Sequence, residues 1–268
     1  MVYYFSGTGN SAFVATTLAN FLSMKQGFIP DLDPASLPLP EDNLLFVFPV
    51  YSWGVPPLVA QFISGLSQEF VDYVNANGFL IDCVMTCGDE TGLAPEMLLT
   101  HFRKAGLTVN SIRSVIMPNN YVLLPGFNVD PKELEEKKLA ACEGRILEIA
   151  QALNRGERGI DVTKGSMAWI KTRLIFPLFM RWGMFPSKWR YTESCISCGK
   201  CARICPMLNV TMKDSHPAWG KRCCSCLGCY HICPVHAVAY GRETKKKGQY
   251  IIPVSAIQKK LLQRGKKA

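Results

Sequence analysis

The sequence has no long hydrophobic segment. Its longest uncharged apolar run in the middle of the chain, Leu174 to Met180, is far shorter than the roughly 20 residues that span a bilayer. The start also lacks a secretory signal, because the strand-like Val2 to Phe5 follows Met1 with neither a basic region nor a cleavage site. We therefore expect a cytoplasmic protein, in which thiols bind metal more often than they form disulfides.

Two signatures of catalysis are also missing. The four histidines, His101, His216, His231 and His236, show no spacing typical of a metal site. The sequence has no convincing pairing of a nucleophile with a general base, so we predict no acid–base catalytic residue. Chemistry in this chain must then come from bound groups, and the cysteines are the first candidates to hold them.

Cysteine is abundant, with twelve residues, and nine of them fall between Cys195 and Cys233. Two runs there share the spacing C-x2-C-x2-C-x3-C-P, which is the ligand run of bacterial ferredoxins. The runs comprise Cys195, Cys198, Cys201 and Cys205, and then Cys223, Cys226, Cys229 and Cys233. Such runs predict two [4Fe–4S] clusters, whereas a zinc site, the alternative, needs neither the third cysteine nor the trailing proline.

The fourth cysteine of such a run lies too far along the chain to reach the cluster of its own loop. In two-cluster ferredoxins it ligates the other cluster. We therefore predict one site from Cys195, Cys198, Cys201 and Cys233, and another from Cys223, Cys226, Cys229 and Cys205. Cys224 fits neither run and is a spare thiol, while Cys83 and Cys142 suit buried packing positions.

The N-terminal part alternates strand-like and helix-like segments over about 155 residues, which predicts an α/β fold with a doubly wound sheet of five parallel strands. The continuous apolar run from Leu44 to Val50 is typical of a strand covered on both faces. The last helix is the clearest, with Asp130 as its predicted N-cap and Pro131 in its first turn. The polar break from Arg155 to Gly159 predicts a domain boundary.

A loop of small polar residues follows the first strand and comprises Ser6, Gly7, Thr8, Gly9, Asn10 and Ser11. Its three hydroxyls, next to backbone N–H groups at a helix N-terminus, suit a terminal phosphate such as that of FMN. Because the loop has no lysine, it is not a Walker A loop. It also overlaps a dinucleotide-binding pattern, with Asp31 about where a ribose-binding acid would lie, so NAD is the alternative ligand.

Other loops at the carboxyl ends of the strands should complete this site, since open α/β sheets bind ligands there. An aromatic side chain there can stack on a flavin ring, and glycine backbone can approach the edges of the ring. The predicted contacts are Tyr51, Ser52, Trp53, Gly54, Cys87, Gly88, Asp89, Asn120 and Tyr121.

Together these motifs resemble the flavodoxin–ferredoxin fusion proteins of anaerobic microbes. The resemblance rests on the loop at Ser6 to Ser11, the segments Phe48 to Gly54 and Met117 to Tyr121, and both cysteine runs. It implies a flavodoxin-like sheet of order 2-1-3-4-5 that binds FMN, and a small α+β ferredoxin-like domain with two [4Fe–4S] clusters. The predicted division is 1–155 for the flavodoxin-like domain, 156–190 for a connector, 191–245 for the ferredoxin-like domain and 246–268 for a basic tail.

The predicted function is an electron relay, because FMN exchanges one or two electrons while each cluster takes one. Its partner would be a redox protein or a small-molecule electron acceptor. The alternatives are a flavin-dependent oxidoreductase acting on a small organic substrate and an iron–sulfur regulatory or binding protein, so enzyme activity stays open.

The formal charge of +9 counts the chain without its bound groups. Cluster ligation and an FMN phosphate would lower this charge to about +3, and we expect no nucleic-acid partner. The apolar, basic connector suits packing between the domains, and contact with a membrane surface is its less favoured role.

Overall fold

The computed structural model describes residues 1–183, 186–242, 244 and 246–252, so most of the predicted basic tail lies outside the described residues. Six strands form one parallel sheet in the order β2-β1-β3-β4-β5-β6. They are β1 (Val2–Tyr4), β2 (Gln26–Phe28), β3 (Leu44–Pro49), β4 (Ile81–Cys87), β5 (Ser111–Ile116) and β6 (Gly159–Asp161). The α/β class and the order of the first five strands are confirmed, and the predicted number of five is corrected to six.

The additional strand, β6, has no apolar pattern that would predict it. All three of its residues are exposed, and they pair in parallel with the first three residues of β5, Ser111 to Arg113. Arg145 fixes this edge, because its guanidinium donates to the carboxylate of Asp161 at 2.7 Å. The sheet therefore extends past residue 155, into the predicted connector.

Helices cover the sheet on both faces, because nearly every residue of β3, β4 and β5 is buried although successive side chains point to opposite faces. α1 and α5 pack together, and α2 packs with α4. The helices of this part are α1 (Asn10–Phe21), α2 (Pro57–Ser64), α3 (Gln68–Ala76), α4 (Ala94–Lys104) and α5 (Lys132–Asn154). Short 3-10 turns lie at Ile29–Asp31 and Pro34–Ser36.

The start of α5 differs from the prediction, since its N-cap is Pro131 and no side chain caps it. Asp130 instead accepts from the backbone N–H of Asn119 at 2.9 Å and from the ammonium of Lys138 at 2.8 Å. Burial raises the pKa of Asp130, but these hydrogen bonds outweigh it and hold the pKa below its ordinary value. The carboxylate thus joins the loop after β5 to the middle of α5.

Residues 168–183 form one helix, here called the connector helix, although Pro177 predicts a break in it. It alternates α turns (α6, Ala168–Ile170; α7, Phe176–Leu178) with π turns (Lys171–Ile175 and Phe179–Gly183). Proline removes one donor from a helix and crowds the preceding turn, and π turns relieve such defects locally. The helix therefore continues across Pro177.

The described residues from 186 onward, here called the C-terminal module, contain two antiparallel strand pairs and two short helices. β7 (Trp189–Tyr191) pairs with β10 (Val238–Tyr240), and β8 (Val210–Lys213) pairs with β9 (His216–Trp219). The helices are α8 (Lys200–Ile204) and α9 (Gly228–His231), and a 3-10 turn at Pro186–Lys188 precedes β7. Trp189 stacks on Trp219 with ring centroids 6.3 Å apart, which forms part of a small aromatic core.

Candidate functional site

The two cysteine runs repeat the same backbone conformation from Cys195 to Cys205 and from Cys223 to Cys233. Left-handed φ angles recur at equivalent positions: 56° at Ser197 and 52° at Ser225, 68° at Gly199 and 63° at Leu227, 48° at Leu208 and 53° at His236. The fourth thiols also match, since Cys205 accepts from the N–H of Asn209 at 3.2 Å and Cys233 from that of Ala237 at 3.1 Å. Positive φ is rare outside glycine, so this shared geometry is specific.

The fourth cysteine of each run lies with the thiols of the other run. Cys233 lines a pocket together with Cys195, Cys198 and Cys201. In the other set, burial raises the pKa of Cys229, and repulsion from nearby Cys226, Cys223 and Cys205 adds to it. The structure thus brings together the two sets of four thiols that the spacing predicts.

The surroundings of these thiols disfavour a free thiolate. Burial raises the pKa of Cys201 to about 11 and that of Cys205 above its ordinary value. Within the described ranges, no three His, Cys, Asp or Glu side chains converge as they would around a single metal ion. A cubane cluster takes four thiolates around its surface, and a backbone N–H aimed at a ligand sulfur, as that of Asn209 is aimed at Cys205, would help to set the reduction potential of a cluster bound there.

A cleft of about 650 Å³ lies at the carboxyl ends of the parallel strands. Most predicted cofactor contacts line it, namely Ser6, Gly7, Thr8, Asn10, Ser11, Tyr51, Ser52, Trp53, Cys87, Gly88, Asp89, Asn120 and Tyr121. Gly9 and Gly54 do not. Further lining residues that the sequence did not predict as cofactor contacts include Leu124, Phe127, Ile175, Leu178, Phe179, Ser225, Cys226 and Leu227.

The loop at residues 6–11, the N-terminal loop, has the polarity of an anion site. The hydroxyl of Ser6 accepts from the N–H of Gly9 at 3.2 Å, and that of Thr8 accepts from the Asn120 amide at 2.6 Å. Both hydroxyls act as acceptors in these bonds, so each keeps its proton to donate. α1 then begins after Gly9, which has a φ of 105° and no capping side chain, so the N–H groups of its first turn suit an anion.

Other polar residues around the cleft hold the loops together. The amide of Asn10 donates to the carbonyl of Pro118 at 3.0 Å and accepts from the hydroxyl of Tyr250 at 2.6 Å. His231 accepts from the N–H of Tyr250 through Nδ1 at 3.0 Å, so its Nε2 donates to the carbonyl of Asn120 at 2.7 Å. Burial lowers the pKa of His231 to about 4, which keeps this bridge neutral.

The segment after β3 forms a tight turn that presents Trp53. Tyr51 and Gly54 exchange both backbone hydrogen bonds, at 3.0 and 2.9 Å. Ser52 and Trp53 between them have φ angles of 44° and 62°, as in a type I′ turn, which usually requires Asn, Asp or Gly. The indole N–H of Trp53 donates to Glu90 at 2.8 Å, so the ring is fixed by the loop after β4.

The connector helix is attached to this turn. Thr172, which is 2% exposed, donates to the carbonyl of Trp53 at 2.8 Å and accepts from the N–H of Leu93 at 2.8 Å. The Lys171 ammonium pairs with the Glu90 carboxylate that also binds Trp53. One turn of the helix therefore holds the loops after β3 and β4 in place beside the cleft.

Gly54 and Gly88 both lie against side chains of this chain. A Cβ atom at Gly54 would overlap the ring of Phe176, and one at Gly88 would overlap the amide of Asn119. Both glycines admit neighbouring side chains of this chain; Gly88 also lines the cleft and Gly54 does not, and an approach of their backbone to a flavin stays a prediction. Gly54 in particular lets the connector helix approach the turn.

The loop of the second cysteine run also borders the cleft. This second cysteine loop, residues 223–229, contributes Ser225, Cys226 and Leu227 to the lining. The carbonyl of Cys226 occupies the space that a Cβ atom of Gly7 would take, and a Cβ atom on Gly228 would lie 2.9 Å from the carbonyl of Gly7. The N-terminal loop and the second cysteine loop are therefore in backbone contact.

The comparison with protein families gives one result. Residues 189–208 match the 4Fe-4S binding domain family. These residues include the whole first cysteine run, so the chain carries an iron–sulfur electron-transfer domain, and such a domain implies a redox partner. The match begins at Trp189, where β7 begins.

The other comparisons add little. No curated protein matches the chain. The solved structure of the Trp repressor binding protein from Bacillus subtilis is 15% identical, and the alignment covers 55% of this chain and 96% of that chain with a TM-score of 0.35. A likeness of this strength establishes neither fold nor function. No described helix is long and apolar enough to cross a membrane.

Replacement of Thr172 by valine is expected to loosen the connector helix. The valine keeps the shape but leaves the Trp53 carbonyl and the Leu93 N–H unpaired, and each buried unpaired group costs about 1–3 kcal/mol. Chemical denaturation should show this loss of unfolding free energy, and the N–H of Leu93 should exchange faster with deuterium. The control is Thr108→Val at an exposed position, which we expect to change stability by less than about 0.5 kcal/mol. Equal stability of the two variants would contradict the attachment.

Proposed function

We propose that this chain is an electron relay that binds FMN in the cleft and a [4Fe–4S] cluster at each set of four thiols. The observation that carries the proposal is that the second cysteine loop lines the same cleft as the N-terminal loop. FMN exchanges one or two electrons and each cluster one, so the bound groups would interconvert the two kinds of redox chemistry. The chain would hold the bound groups in place, form hydrogen bonds to them and shield them from water.

Several features of the cleft fit FMN. The N-terminal loop offers two hydroxyl protons and an uncapped helix N-terminus to a phosphate. The hydroxyls of Tyr51 and Tyr121 are buried beside the cleft without a hydrogen-bond partner in the described structure, so both can donate to a ligand. NAD is less well supported, because Asp31 is not among the described residues that line the cleft.

The case for two clusters rests on the repeat. The first run matches the 4Fe-4S family, and the second run has the same left-handed positions and the same N–H bond to its fourth thiol. The first site would be held by Cys195, Cys198, Cys201 and Cys233, and the second by Cys223, Cys226, Cys229 and Cys205. Cys224 fits neither cysteine run by its spacing, although its thiol hydrogen-bonds with that of Cys226.

The bound groups can be counted directly. Purified without oxygen, the chain is expected to contain about eight iron, about eight acid-labile sulfide and about one FMN. Metal analysis, sulfide determination and chromatography of the released flavin measure these values. A colourless preparation loaded with zinc would contradict the cluster proposal, and a preparation with iron but a released nicotinamide nucleotide would contradict FMN.

A further inference from the structure

The outer face of the connector helix is apolar and exposed. Ile170, Leu174 and Leu178 follow one another at intervals of four residues and are 44%, 51% and 51% exposed, and the adjacent Trp169 is 60% exposed. The opposite face is anchored through Thr172. These four apolar side chains, here called the outer stripe, pack against no other element strongly enough to be buried.

The segment that carries the outer stripe contains basic residues and no acidic ones, and two of its bases, Lys164 and Lys171, pair with Glu96 and Glu90 of other elements. Residues 162–192 contain six Lys or Arg and no Asp or Glu. Two exposed arginines lie on the same helix: Arg173 directly precedes Leu174, and Arg181 follows Leu178 by about one turn. A helix that combines exposed Trp and Leu with Arg lies in the interface of an anionic membrane, with its apolar side chains among the acyl chains.

We propose that the outer stripe docks on an anionic lipid surface. Lipid fits this face because its exposed apolar side chains alternate with arginine, and its polar atoms, the Trp169 indole N–H and the arginine guanidinium groups, are donors that suit the headgroups of an anionic bilayer. Since no described helix is long and apolar enough to cross a bilayer, the connector helix would lie along the surface.

The connector helix lies beside the cleft, so docking of the outer stripe would also affect the position of the cleft. Leu178 is half exposed and also lines the cleft, so the outer stripe ends at the edge of the cleft. Docking would bring the cleft close to the lipid surface. Only this consequence depends on the proposed function, because lipid docking requires no bound cofactor.

Co-sedimentation of the whole chain with vesicles tests the proposal. We expect the chain to bind vesicles that contain phosphatidylglycerol and to bind pure phosphatidylcholine much more weakly. Leu174→Gln should weaken binding to the anionic vesicles at least about tenfold, because one leucine side chain no longer enters the lipid. Arg173→Gln should weaken it about fivefold, as expected for the loss of one positive charge at the surface.

The matched control is Leu147→Gln, at a leucine on α5 that is 41% exposed. It should bind as the unchanged chain does, and all variants should keep the same iron content and thermal unfolding. Failure of the unchanged chain to bind anionic vesicles would overturn the proposal. So would equal binding by Leu174→Gln, since lipid contact would then come from another basic segment, such as the C-terminal tail.

Discussion

Replacing Cys205 by alanine is expected to remove the cluster of the second cysteine run and to leave that of the first. Cys205 follows the first run in sequence, but it lies with Cys223, Cys226 and Cys229 in the structure. A cubane that has lost one of four thiolate ligands is exposed to solvent and is readily lost, so iron should fall from about eight to about four per chain.

Double variants decide which site Cys205 serves. If it shares a site with Cys223, the variant with both residues replaced by alanine should keep about four iron, because only one site is damaged. The pair Cys205 and Cys195 should lose both clusters. If instead the Cys205 and Cys223 double variant loses both clusters and the Cys205 and Cys195 double variant keeps one, each run holds its own cluster. Cys224→Ala is the control and should keep the full iron content, since Cys224 fits neither cysteine run by its spacing.

Gly7→Ala is expected to disrupt the contact between the N-terminal loop and the second cysteine loop. The new Cβ atom would overlap the carbonyl of Cys226, and because the backbone fixes the positions of both atoms, neither can rotate away. Overpacking of this kind costs about 1–3 kcal/mol and here would separate the N-terminal loop from the second cysteine loop. FMN content and unfolding free energy should both fall.

The matched control for this variant is Gly144→Ala. Gly144 lies within α5, and its added methyl group would meet nothing within 4 Å. Alanine favours a helix over glycine by about 0.5–1 kcal/mol, so this control should be slightly stabilised. Equal flavin content and stability in the Gly7 and Gly144 variants would show that the two loops are not in contact.

Features that depend on local spacing could be predicted from the sequence. The cysteine spacing is set by the reach of one tight loop, and the structure brings those thiols together. The alternation of apolar strands and helices is also local and predicted the α/β fold, whereas the order of the first five strands was implied by the resemblance to flavodoxin–ferredoxin fusion proteins. The loops after β1, β3, β4 and β5 follow from the sheet, because parallel strands end on one edge.

Features that depend on distant contacts could not be predicted. β6 consists of three exposed residues without an apolar pattern, and they form a strand because they pair with β5. Another group lies close to the backbone at Gly54 and at Gly88, but the sequence does not show whether that group is a bound ring or a side chain of this chain, here Phe176 and Asn119. The place of Ser225 to Leu227 beside the cleft arises when the C-terminal module packs on the N-terminal loop, more than 200 residues away in the chain.

Flash photoreduction of the anaerobic protein, followed by the absorbance of flavin and of clusters, tests electron relay most directly. The light dose should supply fewer electrons per molecule than the protein has redox centres. The centre that is reduced first should then pass electrons to the other centres of the same molecule, at a rate that does not depend on protein concentration. Gly7→Ala should slow this redistribution in whatever protein still binds FMN. Absorbance changes that show no redistribution, or redistribution that speeds up with protein concentration, would contradict a relay within one chain.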